Sequence, residues 1–458
     1  MTRLILVALL LGPAVTLSAE SLDPSSPMRA AERLDFRAVV RGAKAKVFPA
    51  VVFVKCLREN LEQGKRVTQE VSGSGVLISA GGEALTNFHV VDKATEVRCL
   101  LLDGRAVEAK VLGKDKDIDL ALLQLALPAG TSPAPFAVLG ESASLTEGDF
   151  VMAMGAPWGL SRSVSIGIIS CTNRFLPGSG EYSLWLQTDA SISPGNSGGP
   201  LVNTDGEVIG INTLGSSMGG DMGFAIPADT IRLAVPRLRE HGRLNWSWTG
   251  LQLQPLKDFK RNIYFDGDQG VIVAETDPES PARRAGIQPR DRLLRLQGRP
   301  LKAMTEEDLP AIRRTLGLLP KGEAVEIELS RGGQRQTVKI TPREKGEVEG
   351  DELDCPRWDL TVKTINQFDN PELYFHRKTG VFIYGVKYPG NASEVGLSSK
   401  DIILKVDDQA VTTLDELKSV HQKSLSAIVE KPRLLFTVLR GGLLRQVVLD
   451  ISRDYENE

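Results

Sequence analysis

Two stretches in the second half of the chain repeat each other at a nearly fixed distance. Ala285-Gly286-Ile287-Gln288-Pro289-Arg290-Asp291 aligns with Val395-Gly396-Leu397-Ser398-Ser399-Lys400-Asp401, and Arg331-Gly332-Gly333 aligns with Arg440-Gly441-Gly442. Self-similarity at one spacing means one folding unit used twice. Each copy reads as strands, a short helix, a second helix near Thr305–Leu316 or Thr413–Lys423, and a closing hairpin turned by Gly-Gly. The C-terminal half is therefore expected to be two modules of mixed α/β structure, at 245–343 and 355–458. The charged, glycine-containing stretch 344–354 between them has the composition of a linker.

At 458 residues the chain exceeds one ordinary core, so the first half needs a core of its own. From Ala50 to Ile226 short β-type runs such as Gly75-Val76-Leu77-Ile78 and Phe150-Val151-Met152-Ala153-Met154 alternate with glycine turns. That spacing suits two packed antiparallel barrels, a mainly β unit expected over 36–244. Helices are expected at Ala31–Lys46 and Ala228–Glu240. Residues 1–19 join a charged start to an apolar run and small residues, the pattern of a cleaved signal peptide, followed by a flexible lead-in over 20–35. A formal charge of −3 gives no basic field for nucleic acid. The Cys and His residues lack metal-ligand spacing, so neither metal nor cofactor is expected.

Ser193-Pro194-Gly195-Asn196-Ser197-Gly198-Gly199-Pro200 puts one serine on a glycine-flanked turn. Small neighbours let backbone amides approach a reacting carbonyl. A serine hydroxyl needs a base to take its proton. His89 is the only histidine before position 241, and Asp117-Ile118-Asp119-Leu120-Ala121 lies between it and Ser197. The order His, Asp, Ser is that of the chymotrypsin-type triad. Ser197 is the expected nucleophile, His89 the base, and Asp119 the residue that orients it. The amides of Gly195 and Ser197, with Asn196 between them, are the expected oxyanion hole. Asp115 and Asp117 are expected to be solvated loop charges.

Gly73-Ser74-Gly75-Val76-Leu77-Ile78, the His89 segment, Asp119-Leu120-Ala121, Gln187-Thr188-Asp189-Ala190, the Ser197 turn and Gly223-Phe224-Ala225-Ile226-Pro227, in that order, resemble the HtrA (Deg) family of serine proteases. The resemblance implies a chymotrypsin-like double six-stranded barrel followed by two PDZ domains. It favours Asp119 as the acid, because the family's acid directly precedes Leu-Ala. It makes Ile192 a wall of the S1 pocket, for cleavage after small or medium aliphatic residues, although Ile192 also suits a plain core position. Ser191, where trypsin-like enzymes carry an acid, argues against tryptic specificity. Arg174 falls where the family has a regulatory sensor arginine.

In the first PDZ domain Thr249, Gly250 and Leu251 would hold a peptide carboxylate, with Ile312 and Leu316 as the groove wall. Arg290 stands where the family usually has Gly. The second PDZ domain is divergent, since Arg357-Trp358-Asp359-Leu360 puts an acid in the carboxylate loop. The resemblance further implies an exported or periplasmic, ATP-independent endopeptidase acting on unfolded or misfolded polypeptides. It implies peptide C-termini as PDZ ligands and a homotrimer or larger assembly. The rival reading is a chaperone or PDZ binding protein with a largely silent protease domain. In a barrel of this type the first and fourth strands are neighbours, so Cys56 and Cys99 could be bridged or remain buried thiols.

Overall fold

The computed structural model describes residues 35–455, apart from 63–64, 129–132, 158–161, 177–180, 217–221, 258, 260–267, 347–351 and 367–370. The signal peptide and most of the lead-in expected from the sequence lie outside the described residues. Helix α1 (Phe36–Val47) starts at Asp35, whose carboxylate accepts the Arg37 amide, and buries Ala43 and Val47. No helix among the described residues is long and apolar enough to cross a membrane.

Six strands then close a barrel in the order β1-β2-β3-β6-β5-β4: β1 (Val51–Glu62), β2 (Lys65–Leu77), β3 (Glu83–Asn87), β4 (Ala94–Leu100), β5 (Ala106–Asp115) and β6 (Leu120–Leu125). Between β3 and β4 the one-turn helix α2 (Phe88–Val91) carries His89. A second barrel, ordered β10-β11-β12-β9-β8-β7, is built from β7 (Phe150–Gly155), β8 (Ser163–Arg174), β9 (Trp185–Thr188), β10 (Pro200–Val202), β11 (Val208–Ser216) and β12 (Met222–Pro227). Closure removes the exposed edges that alternating apolar strands would otherwise present. One buried cluster runs from Val54, Leu85 and Leu122 in the first barrel to Met154 and Ile211 in the second. Each such side chain contributes roughly 1.5–3 kcal/mol by leaving water. Helix α3 (Ala228–His241) then packs Ile231, Ala234 and Leu238 onto this cluster. Cys56 and Cys99 are free thiols inside the first barrel, and burial pushes both up to about 12.

The repeat in the sequence is a repeat of structure. The first module has β13 (Ser247–Trp248), β14 (Leu251–Gln254), β15 (Val271–Thr276), helix α4 (Pro281–Arg284), β16 (Arg292–Leu296), β17 (Arg299–Pro300), helix α5 (Leu309–Gly317), β18 (Val325–Arg331), β19 (Gln334–Ile340) and β20 (Arg343–Glu344). The second has β21 (Glu352–Cys355), β22 (Leu360–Thr364), helix α6 (Pro371–His376), β23 (Val381–Val386), helix α7 (Asn391–Glu394), β24 (Ile402–Val406), β25 (Gln409–Ala410), helix α8 (Leu414–Ser426), β26 (Arg433–Arg440) and β27 (Leu443–Asp450). Their main sheets run β14-β15-β16-β18-β19 and β21-β22-β23-β24-β26-β27.

The recurring Asp and Arg-Gly-Gly are two ends of one clamp. Arg331 grips the buried Asp291 carboxylate with both arms at 2.7 Å and donates to Gly286 O at 2.6 Å. Arg440 holds buried Asp401 and Gly396 O in the same way. Bidentate charge-assisted bonds of this kind are strong and geometrically specific. Arg290, at a turn where the sequence resemblance leads one to expect Gly, takes the left-handed conformation with φ 76°, as Lys400 does with φ 71° in the second module.

His421, on α8, is buried with its ring perpendicular to that of Trp358, and its Nε2 has no partner among the described residues. Burial pulls its pKa below the usual 6.5; the Asp354 charge opposes this and Lys387 adds to it. The folded state therefore binds the proton less readily than the unfolded chain. Stability of the second module should rise with pH up to about 6.5 and fall below it as His421 must give up a proton to fold, until the pH drops below its lowered folded-state pKa. Near-UV melting of the second module between pH 7.5 and 5 checks this, with His421→Leu expected to flatten the slope.

Asp115 and Asp117 are not solvated loop charges. Asp115 is buried, and its carboxylate accepts Trp246 Nε1 at 3.1 Å and the Asp117 amide at 3.0 Å. Burial, then the neighbouring Asp117 charge, pushes its pKa up to about 6. Asp117 pairs at 2.8 Å with Lys345, whose side chain is only 9% exposed. Lys345 donates its amide to Trp246 O, and its ammonium lies 5.0 Å from the centre of the Tyr182 ring, which stacks on Trp246 at 4.1 Å. Gly317, at the end of α5, faces these rings so closely that a Cβ would meet Trp246 at 2.8 Å and Tyr182 at 2.9 Å. The barrels and the first module thus share a buried junction, and the start of the stretch expected as linker is part of it.

Candidate active site

Asp119 closes the β5–β6 turn in a left-handed conformation, φ 52°, which a short polar side chain tolerates better than most. That twist brings its carboxylate under α2. Asp119 accepts the His89 backbone amide at 3.0 Å and His89 Nδ1 at 2.9 Å. Its carbonyl accepts the Phe88 amide and the Asn87 side chain, each at 3.1 Å. The imidazole is 44% exposed at its side chain and the carboxylate 18%, so His89 opens to the cleft while Asp119 sits behind it. With Nδ1–H donated to a carboxylate, the other ring nitrogen is left as the acceptor.

The Ser197 turn is fastened to both barrels. Ser74, buried on β2, donates its hydroxyl to Gly195 O at 2.6 Å and accepts the Ala156 amide at 2.8 Å, while its own amide donates to Ser197 O at 2.7 Å. Gly198 donates to Asn212 O and Asn212 donates to Gly199 O. Gly198 has φ 86°, and a Cβ there would lie 2.1 Å from Ser74 O, so only glycine lets the two barrels approach this closely.

Among the described residues the amides of Gly195 and Ser197 are spent on no carbonyl. The Asn196 amide donates to Ser193 O at 2.9 Å. The turn therefore leaves two backbone donors flanking Asn196, whose own amide is used to shape it. Paired free amides beside a hydroxyl can receive a developing oxyanion.

Thr213 joins the acid to the serine. The β11–β12 ladder slips between Asn212 and Leu214, leaving Thr213 as the extra residue of a bulge. Bulges re-aim side chains beside functional sites. Thr213 donates its hydroxyl to Asp119 Oδ2, and its carbonyl accepts Ser197 Oγ at 3.1 Å. The serine hydroxyl is thus turned to Thr213 rather than hydrogen-bonded to His89. Neither Thr213 nor the pinning role of Ser74 is flagged by the sequence; only the small residue at 74, set between two glycines, hinted at a close approach.

The remaining expected positions lie around this centre. Ile192 is half-buried on the second barrel's core and packs on Gly223, where a Cβ would meet its Cδ1 at 2.6 Å. Asp189 accepts the Ile168 amide at 2.7 Å, a structural use. Arg174, at the end of β8, donates to Gln187 Oε1 at 2.8 Å. Glu307 of the first module is held below the usual carboxylate range by its own amide and Thr305 first, with the Arg174 charge adding to this. Residues 177–180 of the loop after Arg174 lie outside the described residues. Thr249, Gly250 and Leu251 line a cleft with Arg313 and Leu316 from α5, and Glu181 and Tyr182 close its protease side. Among the described residues β14 is the unpaired edge of its sheet. Ile312 instead belongs to the module's core.

The chain matches the trypsin-like peptidase domain over residues 73–211 and the PDZ domain over 249–341. A probable periplasmic serine endoprotease, DegP-like, from Halomonas elongata is 34% identical over 78% of this chain and 75% of its own length. The periplasmic serine endoprotease DegP of Escherichia coli K12 is 33% identical over 78% of this chain and 73% of its own. Among solved structures, the HtrA-type protease AlgW with a tripeptide is 31% identical, with a TM-score of 0.59 over 67% of this chain and 97% of that one. The serine endoprotease from Yersinia pestis is 32% identical, with a TM-score of 0.52 over 67% of this chain and 98% of that one.

Proposed function

Because the chain belongs to the DegP, HtrA-type family of serine endoproteases, we propose that it degrades unfolded or misfolded polypeptides outside the cytoplasm, without ATP, using Ser197, His89 and Asp119. The observation that carries this reading is the single cluster formed by Asp119, His89, Thr213 and the Ser197 turn with its two unspent amides.

In the proposed cycle the Ser197 hydroxyl leaves the Thr213 carbonyl and turns to His89. The imidazole takes its proton as Oγ bonds to the substrate carbonyl carbon, and the carbonyl electron pair moves onto oxygen. The amides of Gly195 and Ser197 receive that oxyanion, each contributing about 3 kcal/mol to the transition state. His89, its charged form stabilised by Asp119, then protonates the leaving amine. Water repeats the sequence to free the acid. Ile192 over Gly223 favours a small or medium aliphatic residue before the cut. The cleft at Thr249, Gly250 and Leu251 takes peptide C-termini, whose strand adds to the free edge of β14. Arg174, beside Glu307, is proposed as the contact through which the first PDZ domain reaches the protease. Export by a cleaved signal peptide and assembly as a homotrimer or larger oligomer complete the proposal.

A holder with a silent protease is the second reading, favoured by the Ser197 hydroxyl being bonded to Thr213 O. Degradation of unfolded casein and labelling by a fluorophosphonate distinguish the two. The protease reading expects both, and expects Ser197→Ala to abolish both. Persistent absence of labelling in the unsubstituted protein favours the holder, and equal cleavage by Ser197→Ala removes Ser197 from the chemistry.

A further inference from the structure

The two modules differ at the edge where a peptide would add. Among the described residues β14 has a neighbour only on its β15 side, and the cleft opens on the other. β22 is its counterpart: both ladders, β14 on β15 and β22 on β23, slip at the same place, after Gln252 and after Thr361. But the other edge of β22 is taken. β21 runs antiparallel along it, pairing Glu352 with Lys363, Leu353 with Val362, Asp354 with Thr361 and Cys355 with Leu360. β21 also lies against α8, the counterpart of α5. Its position and direction are those of a peptide added to a sheet edge. Its alternate residues point inward: Cys355 is fully buried and Leu353 packs on the module's core, while Glu352 and Asp354 face water.

The side-chain pocket beside that edge is filled as well. Counted from the two capping-box threonines, Thr305, which opens the 3-10 turn (Glu306–Asp308) leading into α5, and Thr413, which caps α8, Leu316 and Ser424 stand the same number of residues along. Leu316 lines the cleft of the first module. Ser424 instead accepts Nε1 of Trp358 at 3.1 Å, and the Trp358 ring is fully buried.

The carboxylate loop is rebuilt by an exchange of sizes. In the first module Gly250 has φ 72°, and a Cβ there would lie 2.1 Å from Ser280 Cβ. In the second, Asp359 takes the left-handed position with φ 57°, and the residue opposite it is Gly390, where a Cβ would meet Asp359 Cβ at 2.7 Å. Ser280 caps α4, whereas Asp359 reaches across and accepts the Asn391 amide at 2.8 Å, at the start of α7. The Asp359 carboxylate thus takes the space, and the helix-capping task, that the Ser280 side chain has in the first module, so the loop before β22 is held by the chain's own acid.

We infer that the second module is a PDZ-like fold whose recognition groove is occupied by the chain's own segment 352–355, with Trp358 in the side-chain pocket. The chain then offers peptide C-termini one groove, on the first module. The occupied groove rests on the second module's own strands; only the count of one site rests on the peptide-binding reading of the first.

Hydrogen exchange on the full-length Ser197→Ala protein tests both parts. Without peptide, amides of 360–364, held in a sheet on both edges, should exchange at least roughly tenfold more slowly than those of 251–254. A fluorescein-labelled decapeptide with a free apolar C-terminal residue should saturate at one per chain. It should slow exchange over 251–254 and leave 352–364 unchanged. The inference is overturned if 360–364 exchanges as fast as 251–254 in the free protein, if peptide slows exchange over 352–364, or if two peptides bind per chain. If peptide slows exchange in neither region, the peptide-binding reading of the first module fails, and the free-protein comparison alone decides the occupied groove.

Discussion

Exchanging Asp119 for Asn is expected to lower kcat/KM on a peptide with an aliphatic cleavage site by about 10⁴-fold, with folding intact. Asn tolerates the left-handed turn at 119 as Asp does. Its amide oxygen can still accept the His89 backbone N–H, and Thr213 Oγ1 can rotate its hydroxyl to accept from the amide nitrogen. The imidazole is where the loss falls. A side-chain NH₂ opposite Nδ1 forces that nitrogen to be the acceptor, so the proton sits on the nitrogen that should take one from Ser197. A steady-state assay beside a thermal melt checks this. Activity within tenfold of the unsubstituted protein would remove Asp119 from the mechanism.

Lys345→Met should destabilise the unit of barrels and first module by about 3 kcal/mol or more. The side chain is 9% exposed and its partner Asp117 18% exposed, so the lost charge leaves a carboxylate with little water to turn to. The ring stack of Tyr182 and Trp246 loses its cation in the same step. Calorimetry of the full chain reads the effect, and Asp117→Asn added to Lys345→Met should recover part of it, because the two then remove the charge together. A loss below about 0.5 kcal/mol would place the pair with ordinary surface ion pairs.

These two cases mark what the sequence discloses. Residues whose neighbours are fixed by a motif are readable as a cluster: the Ser197 turn, His89 ahead of it, and Asp119 before Leu-Ala. The Asp and Arg-Gly-Gly repeat is readable too, because the same clamp is written twice. Asp115 and Asp117 are not, since what buries them comes from far along the chain, 131 residues away at Trp246 and 228 at Lys345. Nothing local distinguishes a loop acid awaiting water from one awaiting an indole. Thr213 escapes for another reason: only a one-residue slip of a ladder aims it, and slips leave no mark in composition. At the end of 344–354 the net impression of charge hides an alternation that runs on into residue 355, with Leu353 and Cys355 inward and Glu352 and Asp354 outward.

The junction has a practical corollary for anyone dissecting the molecule. Ending the polypeptide where helix α3 finishes would carry away both Trp246 and Lys345, stranding two acids and the face of Tyr182 on a freshly bared surface. The smallest fragment worth expressing for crystallisation or inhibitor screening should therefore reach past residue 345, taking the first module with it.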